Sequence, residues 1–210
     1  MKKALDKLIN NIKFDKKYVL FSLIIVILGI ITGAIFIVIL NSADKAIVVE
    51  YIESFIEHLR LDNFKYIDNL KNTLIINFSI IFIISLIGFT YFFFPINIII
   101  LFYKAFIIGF SISSFIFTYK LKGLVLSIIY IFPHLIINIL LISILTAFTT
   151  KLSMNMINNI AKKKQVNMRN YTNKYLYVVF FFTILILLTS LYESFASPFL
   201  LKLVIKILIH

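Results

Sequence analysis

The residues with most chemistry to offer are polar ones set inside apolar runs, and the first are Pro133, His134 and, one turn on, Asn138. Ser127 and Tyr130 precede them, so one helix face would carry a broken polar stripe. A polar group in hydrocarbon is by default a functional hypothesis, because leaving it unpaired is costly. A proton relay or metal site here needs a second histidine or a carboxylate, and neither is near in sequence. His134 and Asn138 therefore read as hydrogen-bonding glue between helices, and Pro133 as a kink whose freed carbonyl its polar neighbours help to satisfy. Lys104 starts about 12 Å below one end of its own apolar run, and its long stem should let the ammonium snorkel to the surface. Glu193, the one acid after Asp68, stands at the end of another run, so an ion pair with Lys104 is not expected.

Small residues set helix approach rather than chemistry. Gly29 and Gly33 form a GxxxG pair, and Gly109 with Ser113 a second small-xxx-small pair, both suited to close packing. Near the C-terminus, Ser197 followed by Pro198 reads as the N-cap and first residue of a new helix, with Glu193 one turn earlier placed to meet its positive end. That helix is too short to span a bilayer, and Lys202 and Lys206 share one of its faces, so it should lie in the interface. No phosphate loop, dinucleotide fingerprint, HExxH, GxSxG or Cys/His metal spacing occurs. With no cysteine there is no disulfide or thiolate chemistry either. The expectation is no catalytic, cofactor-binding or metal site.

What must position these residues is a membrane bundle. The chain of 210 residues is 61% hydrophobic and 14% charged, against roughly 45–50% and 25% in soluble domains. Only helices or closed barrels satisfy the backbone in lipid, and the alternation of barrel strands is absent. Five runs are long enough to cross, at about 19–40, 74–94, 96–119, 124–149 and 175–191. The expected fold is all-α: a single membrane domain, 1–210, of five spans, an amphipathic loop helix and a short interfacial C-terminal helix. The net charge of +12 would suit nucleic acid, but the basic residues lie between apolar runs rather than on one face, so no nucleic-acid partner is expected. The bilayer itself is the partner they fit.

Lys and Arg number twelve in 1–18 and 150–174 and eight on the other side, which places the N-terminus in the cytoplasm and the C-terminus outside. The loop 41–73 then lies outside with Asp44, Glu50, Glu53, Glu57, Asp62 and Asp68. Within it Val48, Ile52, Phe55 and Leu59 recur at helical spacing away from the glutamates, the mark of an amphipathic helix that either docks on a partner or packs its stripe on the bundle or bilayer surface and leaves its carboxylates in water.

The order of these features resembles the stage II sporulation protein M family over nearly the whole chain. The stretch 101–111 looks like that family's third span, Phe132, Pro133 and His134 like its Pro-His element, and Glu193 to Pro198 like its C-terminal signature. The resemblance implies a non-enzymatic membrane component of endospore formation. It would anchor two membrane-bound peptidoglycan hydrolases, resembling stage II sporulation proteins D and P, at the septum during engulfment of the forespore. Many relatives carry Pro-His-Gly with a Glu three residues after the Gly. This chain has Leu135 and Asn138 instead, so a role tied to that carboxylate does not carry over. The alternative is a permease-like subunit of a transport complex, with Lys104, His134 and Asn138 lining a path.

Overall fold

The computed structural model describes residues 15–61, 64–90, 93–162 and 168–208, and there it is helical throughout apart from short joints. The basic stretch 1–14, Asp62, and Lys163 and Lys164 lie outside the described residues. The elements are α1 (Lys16–Ile39), α2 (Ser42–Arg60), α3 (Tyr66–Thr90), α4 (Phe94–Tyr130), α5 (Phe132–Ala161), α6 (Met168–Leu191), a π-helical turn (Tyr192–Ala196) and α7 (Ser197–Leu208). Five helical stretches are long and apolar enough to cross a membrane, as expected: Lys16–Ile39, Tyr66–Gly88, Phe94–Tyr130, Pro133–Ala161 and Tyr175–Ile207. The chain is an all-α integral membrane bundle.

Caps and turns follow from residue type. Asp15 accepts the Lys17 N–H at 3.2 Å, and Asn41 accepts the Asp44 N–H at 2.8 Å, which fixes the starts of α1 and α2. Within α4 the helix is broken at Lys120, whose φ of 53° and ψ of −127° are not helical. The chain folds back there, because a Cβ on Gly123 would overlap the Phe115 carbonyl oxygen, eight residues earlier. In an unbroken helix those two positions would be about 12 Å apart. Gly123 is thus what lets the second arm of α4 lie against the first.

The tightest seam joins α1 to α4. A Cβ on Gly29 would come within 2.6 Å of the Ala105 Cβ and 2.7 Å of the Phe102 carbonyl. One on Gly33 would overlap the Phe106 carbonyl, and one on Gly109 the Ile30 carbonyl. The backbones approach this closely because glycines on both helices, with Ala105 between them, leave little side chain in the way. Ser113, one turn beyond Gly109, is only half-buried. Helix α5 is the core of the bundle and packs against α1, α3, α4 and α6.

Two spans differ from the expectation: the fourth apolar helix runs Pro133–Ala161 rather than 124–149, residues 124–130 belonging to the folded-back second arm of α4. The fifth span does not stop at 191: the helix runs on through the π-turn into α7, and Ser197 has helical φ and ψ of −63° and −47°. Pro198 is the physical reason. It has no N–H to give and its ring would strike the carbonyl four residues back, so the preceding turn widens and the Ser197 N–H bonds to the Tyr192 carbonyl. The tail helix then buries Leu201 and Ile205 in contact with α4 and α2.

Helix α2 is amphipathic as its spacing implied, with the stripe turned slightly. Ile52, Ile56 and Leu59 are buried, Phe55 and Val48 are half-buried, and Glu50, Glu53 and Glu57 face outward. It rests on α4 and α7.

Candidate functional site: a charged network in the middle of the bundle

Lys104 and Asn77 define the centre. Lys104 lies ten residues into α4, about 15 Å from its start and about 24 Å from the fold-back at Lys120. Asn77 is likewise near the middle of α3. The Lys104 Nζ donates to the Asn77 Oδ1 at 3.0 Å, and the Asn77 Nδ2 donates to the Ser190 Oγ at 2.9 Å on α6. The Asn77 side chain is also hydrogen-bonded to the Glu193 carboxylate, which lies within electrostatic reach of Lys104. Three spans are thus held by one amide, an acid and an ammonium.

This corrects two expectations. Lys104 does not snorkel; it turns inward, because a fixed acceptor lies one hydrogen bond away. Glu193 is not at the membrane edge opposite Lys104 but beside it, because the helix continues past it for another turn and more. The two charges, both half-buried, offset one another where hydrocarbon would penalise either alone.

A second group lies alongside. His134 Nδ1 and Ser197 Oγ are hydrogen-bonded at 2.8 Å, and both residues are buried, so the Ser197 hydroxyl serves α5 rather than capping α7. His134 feels the charge of Lys104, and its ring packs edge-on against Tyr130 at 5.7 Å. Tyr130 in turn meets Phe55 of α2 at 5.2 Å, and Phe64, Tyr66 and Phe195 continue the contact across the end of α3. These ring contacts run from His134 on α5 through α2 and the start of α3 to the π-turn. Pro198 is buried beside it. Pro133 opens α5 just past the joint at Ile131, where the Ile131 N–H still reaches the Ser127 carbonyl at 2.8 Å.

The sequence-named residues are therefore only partly gathered. Lys104, Glu193, His134, Ser197 and Pro198 fall in one neighbourhood. Asn138 is wholly buried, yet neither its Oδ1 nor its Nδ2 has a hydrogen-bond partner among the described residues. Gly29, Gly33 and Gly109 belong to the α1–α4 seam instead. Asn77 and Ser190 were not foreseen, although a lone Asn in the apolar run 74–94 was the signal that could have found them. Nor was Asn97, whose Nδ2 donates to the Thr149 Oγ1 at 3.1 Å between α4 and α5. No group of three His, Cys, Asp or Glu side chains suited to a metal ion occurs among the described residues.

The family model described as stage II sporulation protein M matches residues 21–198, ending at Pro198. The chain belongs to the stage II sporulation protein M family. No curated protein and no solved structure is found to match it. Every residue of the charged network falls inside the part that the stage II sporulation protein M model covers, whereas α7 beyond Pro198 falls outside it. This member is a sporulation-related, multi-pass membrane protein.

Proposed function

We propose that the protein is a non-enzymatic scaffold of endospore formation that holds extracytoplasmic, membrane-anchored peptidoglycan hydrolases at the septum during engulfment. The observation that carries this reading is the seating of α2. Ile52, Ile56 and Leu59 are sunk against α4 and α7, while Glu50, Glu53 and Glu57 remain on an exposed face. A helix held so firmly presents a fixed surface, which favours docking because little order is lost on binding. In this reading the N-terminus is cytoplasmic and α2 lies at the outer surface, where hydrolases resembling stage II sporulation proteins D and P would meet it.

Pull-down of the protein from sporulating cells tests the proposal. Recovery of the two hydrolases is the expected result, and their loss when Glu50, Glu53 and Glu57 are all changed to Gln would assign the contact to α2. Recovery of an ATPase with neither hydrolase would replace the scaffold by the permease-like reading. One observation favours that second reading: Lys104, Asn77 and Glu193 form a charged group in the middle of the spans. Against it, Lys104 and His134 are each engaged in an interhelical hydrogen bond rather than facing one common path.

A further inference from the structure

Helix α2 has a face that neither the bundle nor the acidic row uses. Ile47 and Tyr51, one turn apart on the same side, are 64% and 73% exposed. Glu53 follows Tyr51 by two residues, which is about 200° around the helix, so this face and the acidic row turn different ways. The depth of the helix decides what covers the face. The Lys45 ammonium lies 6.0 Å from the centre of the Phe117 ring, and ten residues later the Phe55 ring lies 6.4 Å from that of Phe115. Moving about 15 Å along α2 thus changes its level on α4 by only about 3 Å, so α2 lies across α4 rather than along it. Phe115 and Phe117 precede the fold-back at Lys120, which sets α2 beside the last turns of a membrane span and not above them. The joint to α1 agrees. Lys45 Nζ donates to the Val38 carbonyl at 2.9 Å, and Val38 and Ile39 carry an exposed apolar surface to the last residue of α1.

We propose that Ile47 and Tyr51 form a lipid-contacting foot that seats α2 in the interfacial layer of the bilayer. A helix lying in that plane at the rim of a bundle meets three surroundings, and α2 has a face for each. Ile52, Ile56 and Leu59 meet the bundle, Ile47 and Tyr51 meet lipid, and Glu50, Glu53 and Glu57 meet water. Tyrosine suits the position, since its ring is apolar and its hydroxyl can stay among the headgroups. His58, two turns beyond Tyr51 on the same side, is exposed and polar, so the foot is confined to the half of α2 nearest α1. The contact fixes the rotation of α2 about its own axis and thereby holds the acidic row toward water. It does not rest on the scaffold reading: it holds on whichever side of the membrane α2 lies and whatever the glutamates bind.

The chain has no tryptophan, so a single introduced one reports its own surroundings. The full chain is made with Tyr51→Trp, Ile47→Trp or Glu53→Trp and reconstituted at low protein-to-lipid ratio in vesicles of phosphatidylcholine and phosphatidylglycerol. The first two variants should emit at shorter wavelength, lose emission when the acyl chains carry bromine, and be nearly insensitive to acrylamide in the water. Glu53→Trp should show the reverse. Bromolipid quenching at positions 47 and 51 no stronger than at position 53 overturns the proposal and, if acrylamide reaches them, leaves the face open to an apolar partner. Quenching of the first two variants by neither agent also overturns it, and would place a second copy of the chain over the face.

Discussion

Gly33 shows how little freedom a single position in this bundle has. Its absent side chain lets the α1 backbone lie on the Phe106 carbonyl, so Gly33→Leu must either separate α1 from α4 or distort one of them. Overpacking of this kind costs about 1–3 kcal/mol. The change should appear as a lower midpoint in thermal unfolding of the detergent-solubilised protein, with Gly33→Ala intermediate between the variant and the parent. Asn138 predicts the opposite sign. A buried amide without partners carries a desolvation penalty of about 1–3 kcal/mol that an apolar residue of similar shape avoids. Asn138→Leu should therefore raise the same midpoint, and a fall would mean that the amide has a partner. The GxxxG pair was legible in the sequence because small residues at that spacing have one main use in membranes. That Lys104 would meet Asn77 was not legible, because which side chain faces it depends on how α3 and α4 pack.

At the scale of elements, the turn at Lys120 and the joint at Pro198 are the two places where local chemistry and the fold disagree. A non-glycine residue with φ of 53° is strained by about 1–2 kcal/mol. Lys120→Gly should remove that strain and stabilise the protein by a similar amount in the same unfolding assay. For the joint, Ser197 acts through His134, which a double-mutant cycle can establish. Ser197→Ala should cost about 0.5–1.5 kcal/mol in the parent and nearly nothing in a His134→Phe background. Equal costs in both would return Ser197 to the role of a helix cap. The sequence Ser-Pro is a sound start signal when the preceding chain is free to leave the helix. Here the residues before it are anchored by Ser190 and Glu193 to α3, so the helix absorbs the proline by widening a turn. The expectation failed because the tertiary contact outweighed the local signal.

For the whole molecule, five spans could be read from apolar length alone, since the thickness of hydrocarbon leaves few alternatives. The amphipathic loop helix was legible for the same reason: its period is a property of the sequence. The proposed orientation rests on the basic residues and is open to direct test, helped by the absence of native cysteine. A cysteine replacing exposed Ser54 on α2 should react with a membrane-impermeant maleimide in intact cells, and one replacing exposed Asn158 near the end of α5 should react only after lysis. The reverse pattern inverts the orientation. Ser194 would be a poor reporter in either case, because it is fully buried.

The α1–α4 seam also imposes an order on biosynthesis. Its two halves, around Gly29 to Gly33 and Phe102 to Gly109, are separated in the chain by α2, α3 and the start of α4. During translation the first span enters the lipid with its glycine face bare, and it keeps that face uncovered until some seventy further residues have been made. Through that interval its flat, exposed backbone is open to any other membrane helix with small residues of its own. A newly made chain is thus most vulnerable to wrong pairing before its third span emerges. Slowing the ribosome between the first and third spans should lower the yield of folded protein more than the same pause placed after residue 119.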